Sequence, residues 1–199
     1  MHLNRRRHRF DKRIDSLTGL FHRHEKHTKC TQGVYLVERA LIQLQIEFEL
    51  FVRSVILDSA TGRFYNSSGN VSSKLTAKLP TRDHASRFII KKFNRNREPD
   101  WYLPNVAIQA ATHLQLTNLS DISIHLGVTP WTIDDLRFVR NFIAHRSKHS
   151  AESIRKAQIV PKQGQIDPIA LAYSYSATGK RNYEDWTDFV KLIARLLVQ

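Results

Sequence analysis

The chain has 199 residues, 41% of them hydrophobic, which is enough to build a core and excludes global disorder. Its 31 lysines and arginines against 18 acids give a formal net charge of +13, which points to a polyanionic partner, nucleic acid foremost. The one cysteine, Cys30, excludes an internal disulfide and a cysteine-rich zinc site, and no apolar run reaches the roughly 18 residues that a membrane span needs.

The chain opens with "MHLNRRRHRF", which is basic but lacks the apolar stretch of a signal peptide. A cytoplasmic protein without membrane association is therefore expected. Residues 1–30 hold nine Lys/Arg, three acids and five of the ten histidines. They are expected to form a basic, His-rich arm or an extra helix, ahead of a helical domain over residues 31–199. Arg5, Arg6 and Arg7 in "RRRHR" would reach phosphates from a flexible arm.

Residues 33–57 carry the clearest helical pattern. Val37, Leu41, Leu44, Phe48, Phe51 and Val55 recur at steps of three and four, and Leu36, Ile42, Ile46 and Leu50 widen the apolar face. "DSATGRFYNSSGN" at 58–70 has the composition of a loop. A second amphipathic helix spans 82–94, with Ala85, Phe88 and Ile89 inward, and runs into the basic turn "KKFNRNR" at 91–97. Pro104 fits the first turn of a helix over about 103–116, faced by Leu103, Ala107, Ala110 and Leu114.

Thr129 and Pro130 suit the cap and first turn of a helix that continues to about Arg146, with Asp134 and Asp135 near its positive end. A short helix is expected in "AESIRKAQI" at 151–159, and "ALAYSYS" at 170–176 alternates like a short strand. The last helix has Asn182 as its expected cap, with Trp186, Phe189, Val190, Ile193 and Leu197 inward. Long amphipathic helices with few strand signals predict the all-α class, an antiparallel helical bundle.

The chemistry-bearing stretch is "RNFIAHRS" at 140–147. On a wheel of about 100° per residue, Leu136, Phe138, Val139, Phe142 and Ile143 fill one side of this helix. Arg137, Arg140, Asn141, Ala144 and His145 fill the other. Asn141 and His145 are four apart and therefore neighbours. Arg140 and His145 are about 140° apart, so a reaching side chain, a distortion or a second copy of the helix is needed to join them. An imidazole can move a proton near neutral pH, an arginine can hold a phosphate and stabilise its developing charge, and an amide can orient either. RNA brings its own nucleophile, the 2′-hydroxyl, so no metal or other cofactor is required. The polar side of an ordinary surface helix would carry the same residue types.

Arg140-Asn141-x-x-x-His145 resembles the R-x4-6-H motif of the HEPN superfamily, with the usual polar residue directly after the arginine. "DDLRFVRNFIAH" has the apolar spacing common before and within that motif. The resemblance covers residues 33–199, and its diagnostic part is the six residues 140–145. It implies a dimeric helical bundle acting as a metal-independent endoribonuclease in a toxin–antitoxin or antiviral defence system. It also implies an antitoxin or other regulatory partner protein. Arg140, Asn141 and His145 are carried over as catalytic residues, with the motifs of two protomers facing each other in a shared cleft. Arg137, the turn residues Lys91, Lys92, Arg95 and Arg97, and Arg5, Arg6 and Arg7 are the expected RNA contacts. The tyrosine that follows the histidine in members silenced by nucleotidylation is missing from "HRSKHS".

Two other readings stand beside it. Some relatives of that kind only bind nucleic acid. "ISIHLGVTPWTI" at 122–133 also has the look of a helix-turn-helix that would read DNA through residues 122–138, although Asp134 and Asp135 would then face DNA phosphates. His22, His24 and His27 lack a second cluster at zinc-ligand spacing, and "SATGK" at 176–180 lacks the glycine spacing of a phosphate loop.

Overall fold

The computed structural model describes all residues except 26–30, 128–131, 158 and 160–164. In chain order the described residues form α1 (Asn4–His24), α2 (Thr31–Ala60), β1 (Phe64–Asn66), β2 (Gly69–Val71), α3 (Arg82–Lys92) and α4 (Pro104–His113). They continue with α5 (Leu119–Gly127), α6 (Thr132–His145), α7 (Lys148–Lys156), α8 (Pro168–Tyr173) and α9 (Asn182–Leu196). The protein is mostly helical and belongs to the all-α class, as expected. Among the described residues no helix is long and apolar enough to cross a membrane. The chain divides into two compact units: residues 1–11, 48–129 and 192–199 form the first, and residues 12–47 and 130–191 form the second.

In the first unit the lower half of α2 supplies Phe48, Phe51, Val52, Val55, Ile56 and Leu57, all buried. Ile89 of α3, Ala107, Ala110 and Ala111 of α4, and Ile122 and Leu126 of α5 are buried as well. Small residues on α4 let helices approach closely, and α4 packs against both α3 and α5. The Asp58 side chain, only 2% exposed, accepts hydrogen bonds from Arg6 at 2.9 Å and from Arg82 at 2.5 and 2.6 Å.

A flexible arm at residues 5–9 is overturned, and the helical alternative is what forms. Leu3, Phe10, Ile14 and Phe21 recur at steps of seven, four and seven, and each is at most 3% exposed. The basic residues occupy the remaining arc and dominate the composition, which hides the stripe. Phe10 packs on Phe51 with ring centroids 4.8 Å apart. Backbone bonds also fix the start of the chain: Leu3 N–H donates to Tyr65 O at 3.0 Å, and Tyr65 N–H donates to Met1 O at 3.2 Å.

The expected loop at 58–70 contains a hairpin, with Phe64 opposite Val71 and Asn66 opposite Gly69. The Asn66 side chain accepts from Ser68 N–H at 3.0 Å, a local turn that composition cannot distinguish from a loop. Gly69 takes φ +124°, open to glycine alone at little cost.

In the second unit Val37, Leu41 and Leu44 of α2 are buried, as are Leu136 and Val139 of α6 and Trp186 and Val190 of α9. Phe21 and Tyr183 stack at 4.8 Å, and the Tyr173 hydroxyl donates to Phe21 O at 2.8 Å. The strand expected at "ALAYSYS" is instead α8 and its exit. Pro168 sits in the first turn, and the Asp167 side chain accepts from Ile169 N–H at 2.8 Å and Ala170 N–H at 3.1 Å. These start signals outweigh a short alternation. Asn182 is not the cap of α9 but its first residue. Its amide donates to Leu171 O at 2.8 Å, while the Glu184 side chain accepts from Arg181 N–H at 2.8 Å. Of the α2 face expected inward, Leu50 is exposed.

Two outcomes check this account. Phe10→Ala should lower the unfolding free energy by about 3–5 kcal/mol in urea titration, as truncating a buried aromatic does; a loss near zero would restore the flexible arm. The second concerns Glu98. Burial pushes its carboxyl up, but hydrogen bonds from Arg53, Ser86 and Trp101, together with the Arg53 charge, outweigh burial and bring it down to about 2. That is below its ordinary value of 4.5, so its stabilisation is complete above pH 4.5 and lost as pH falls toward 2. Glu98→Gln should therefore cost stability at neutral pH, with the difference from wild type closing across that acid window.

Candidate active site on helix α6

Helix α6 belongs to the second unit and packs against α7 and α8. Ile133, Leu136, Val139 and Ile143 are buried at helical spacing, which fixes the rotation of the helix and turns the 137–140–141–144–145 arc away from them. His145 is the last residue of α6 and is exposed. Arg146 takes φ +42°, and its N–H closes the last turn on Phe142 O at 2.8 Å. Ser147 then starts α7 with a capping box: its hydroxyl accepts from Ser150 N–H at 3.2 Å, and Ser147 N–H donates to the Ser150 hydroxyl at 3.1 Å.

Arg140 and Asn141 are brought together. The Arg140 guanidinium donates to the Asn141 side-chain oxygen at 3.0 Å, so the amide orients the arginine and keeps its own N–H groups free to donate. His145 is bonded to neither and has no hydrogen-bond partner among the described residues. Arg137 is occupied on two sides. Its Nε and Nη2 donate to Asp134 at 3.1 and 2.9 Å, and its guanidinium lies 4.6 Å over the Phe138 ring.

The other expected RNA contacts all belong to the first unit. Arg5 is exposed, whereas Arg6 is committed to Asp58 and Arg7 lies 3.6 Å from Asp11. Lys91, Lys92, Arg95 and Arg97 are exposed around the turn that ends α3, where Asn94 takes φ +50°. Lys92 lies 5.6 Å over Phe88, and Arg95 lies 5.8 Å over Phe93 and 3.8 Å from Asp100.

Among the described residues no three His, Cys, Asp or Glu side chains converge to hold a metal ion. In the N-terminal histidine cluster the His22 imidazole meets the Tyr183 hydroxyl at 2.8 Å. His27, and the Val128, Thr129 and Pro130 on which the helix-turn-helix corner and the expected start of α6 rest, lie outside the described residues.

Asp135 carries a perturbation that the sequence signalled only through its acidic neighbour. Burial pushes its carboxyl up, and the Asp134 charge adds to this, to about 6. A carboxyl raised above its ordinary 3.8 favours folding while protonated, and that advantage is lost as pH rises through about 6. Asp135→Asn should be more stable than wild type at pH 7 in thermal melts, with the gain shrinking as pH falls from 6 toward 4. A gain that does not change over that range would refute the assignment.

Compared with known proteins, the chain matches no family model, no curated protein and no solved structure.

Proposed function

We propose that the protein is a metal-independent endoribonuclease of the HEPN kind. The observation that carries the reading is the Arg140-Asn141-x-x-x-His145 motif on the polar arc of α6, with Arg140 oriented by Asn141 and His145 exposed at the helix end. The charge of +13 supports an RNA substrate. In this reading the 2′-hydroxyl oxygen attacks the adjacent phosphorus and the bond from phosphorus to the 5′ oxygen breaks. The products are a 2′,3′-cyclic phosphate and a 5′-hydroxyl. His145 moves a proton at the attacking or the leaving oxygen, and Arg140 binds the scissile phosphate and stabilises its charge as transfer proceeds. Asn141 positions Arg140 and can donate to the ribose or phosphate.

The angle of about 140° between Arg140 and His145 on one helix favours a homodimer, in which one protomer's arginine works beside its partner's histidine. A toxin or antiviral defence role, restrained by an antitoxin or regulatory protein, follows from the same resemblance. Arg137 and the exposed cations around α3 would add affinity independent of sequence.

The test is cleavage of RNA in EDTA by wild type, His145→Ala and Arg140→Ala. Cleavage by wild type that ends in cyclic phosphates and falls by 10²-fold or more in each variant is expected, about the size of a lost acid–base or charge-stabilising group. Equal cleavage by all three would overturn the site. Tight binding of RNA or duplex DNA without cleavage would leave a nucleic-acid-binding protein, either an inactive relative or a helix-turn-helix reader.

A further inference from the structure

Arg146 follows the motif histidine and was not among the expected RNA contacts. Its left-handed backbone carries it out of the helical path of α6, and its side chain is 58% exposed. Among the described residues its ion-pair partner is Glu38 of α2, a residue of the same unit whose side chain is only 15% exposed. The pair is lopsided, with the anion mostly inside and the cation mostly in water. Both residues line a cavity of about 600 Å³ together with Asp167, Tyr173 and Arg181. Glu38 therefore stays reachable by water when Arg146 swings away.

Two other cations of this unit are more firmly held. Arg137 is bonded twice to Asp134 and lies over Phe138. Arg181 donates to Tyr173 O at 2.7 Å and pairs with Glu25 at 2.6 Å. Among the described residues the Arg146 side chain has one bond, to one carboxylate oxygen, and Arg146 lies next in sequence to His145. An ion pair with an exposed member shifts an equilibrium by about a factor of two to five. A phosphate that accepts two parallel bonds from the guanidinium fork competes well against that.

We infer that Arg146 is a further RNA phosphate contact beside the motif, and that Glu38 holds it in reserve and so sets the affinity of the site for RNA. This rests on the proposed reading of α6, because it assumes that RNA runs past His145. The bound strand takes Arg146 from Glu38, and no covalent step is involved.

Binding of a 2′-O-methyl RNA 20-mer tests this, because that probe lacks the attacking hydroxyl and stays intact whether or not the protein cleaves RNA. Affinity would be measured against salt for wild type, Glu38→Gln, Arg146→Ala, Arg146→Lys and the Glu38→Gln/Arg146→Ala double variant. Glu38→Gln should bind about two- to five-fold more tightly. Arg146→Ala should bind more weakly and reduce the slope of log affinity against log salt by about one, whereas Arg146→Lys keeps the slope. The gain from Glu38→Gln should vanish when Arg146 is already alanine.

An unchanged slope in Arg146→Ala would overturn the inference. So would an equal gain from Glu38→Gln in both backgrounds, since that is what removing a negative charge anywhere would give. Melting curves identify any variant that fails to fold, and Arg146→Lys then carries the comparison. If wild type fails to cleave natural RNA while this coupling holds, the catalytic reading falls and the phosphate contact stands. If it cleaves and the coupling is absent, the reverse is true.

Discussion

A buried carboxylate organises the first unit. Asp58 lies in the last turn of α2, where the carbonyl end of a helix disfavours negative charge, and its side chain is only 2% exposed. Taking an ion out of water costs several kcal/mol in proteins, so the charge survives only with close partners. Arg6 and Arg82 supply them and satisfy both oxygens. Arg6 comes from α1 and Arg82 is the first residue of α3, so one anion ties the start of one helix, the end of another and the start of a third. The Arg6 guanidinium also lies 5.9 Å from the Phe64 ring centroid, which extends the arrangement to the hairpin. Arg6 and Arg82 are thus two of the 31 lysines and arginines that serve the fold rather than a partner.

The same arrangement explains what the sequence concealed. The regular apolar period of α2 was plain, and Val37, Leu41, Leu44, Phe48, Phe51 and Val55 are all buried as that period requires. Residues 1–24 carry an equally real apolar stripe, but Leu3, Phe10, Ile14 and Phe21 are diluted by cations, some of whose partners lie far along the chain. Arg6 meets Asp58 across 52 positions, and no local pattern announces such a pair. At α8 the alternation of "ALAYSYS" competed with an Asp-Pro start, and the cap decided the outcome because it satisfies backbone donors that a strand edge would leave open.

The candidate site was legible as residue types on a helix face and less legible as geometry. Leu136, Val139 and Ile143 of the expected apolar side of α6 are buried, whereas Phe138 and Phe142 are half-buried. The bond from Arg140 to Asn141 follows from side-chain reach between neighbours, which a wheel does not display. Arg146 escaped notice because the helical pattern ran through it, whereas the helix stops one residue earlier. Glu38 could not have been found from the motif at all, since it lies 108 positions away.

The left-handed turn at Arg146 has a cost in evolutionary design. An L-residue with a β-carbon in that conformation loses roughly 1 kcal/mol relative to glycine, the residue that most often closes helices this way. Selection for stability alone would drift this position toward glycine, and the chain holds an arginine there instead. Thermostability screens of this protein would therefore tend to enrich Arg146→Gly, a substitution directly beside the candidate site.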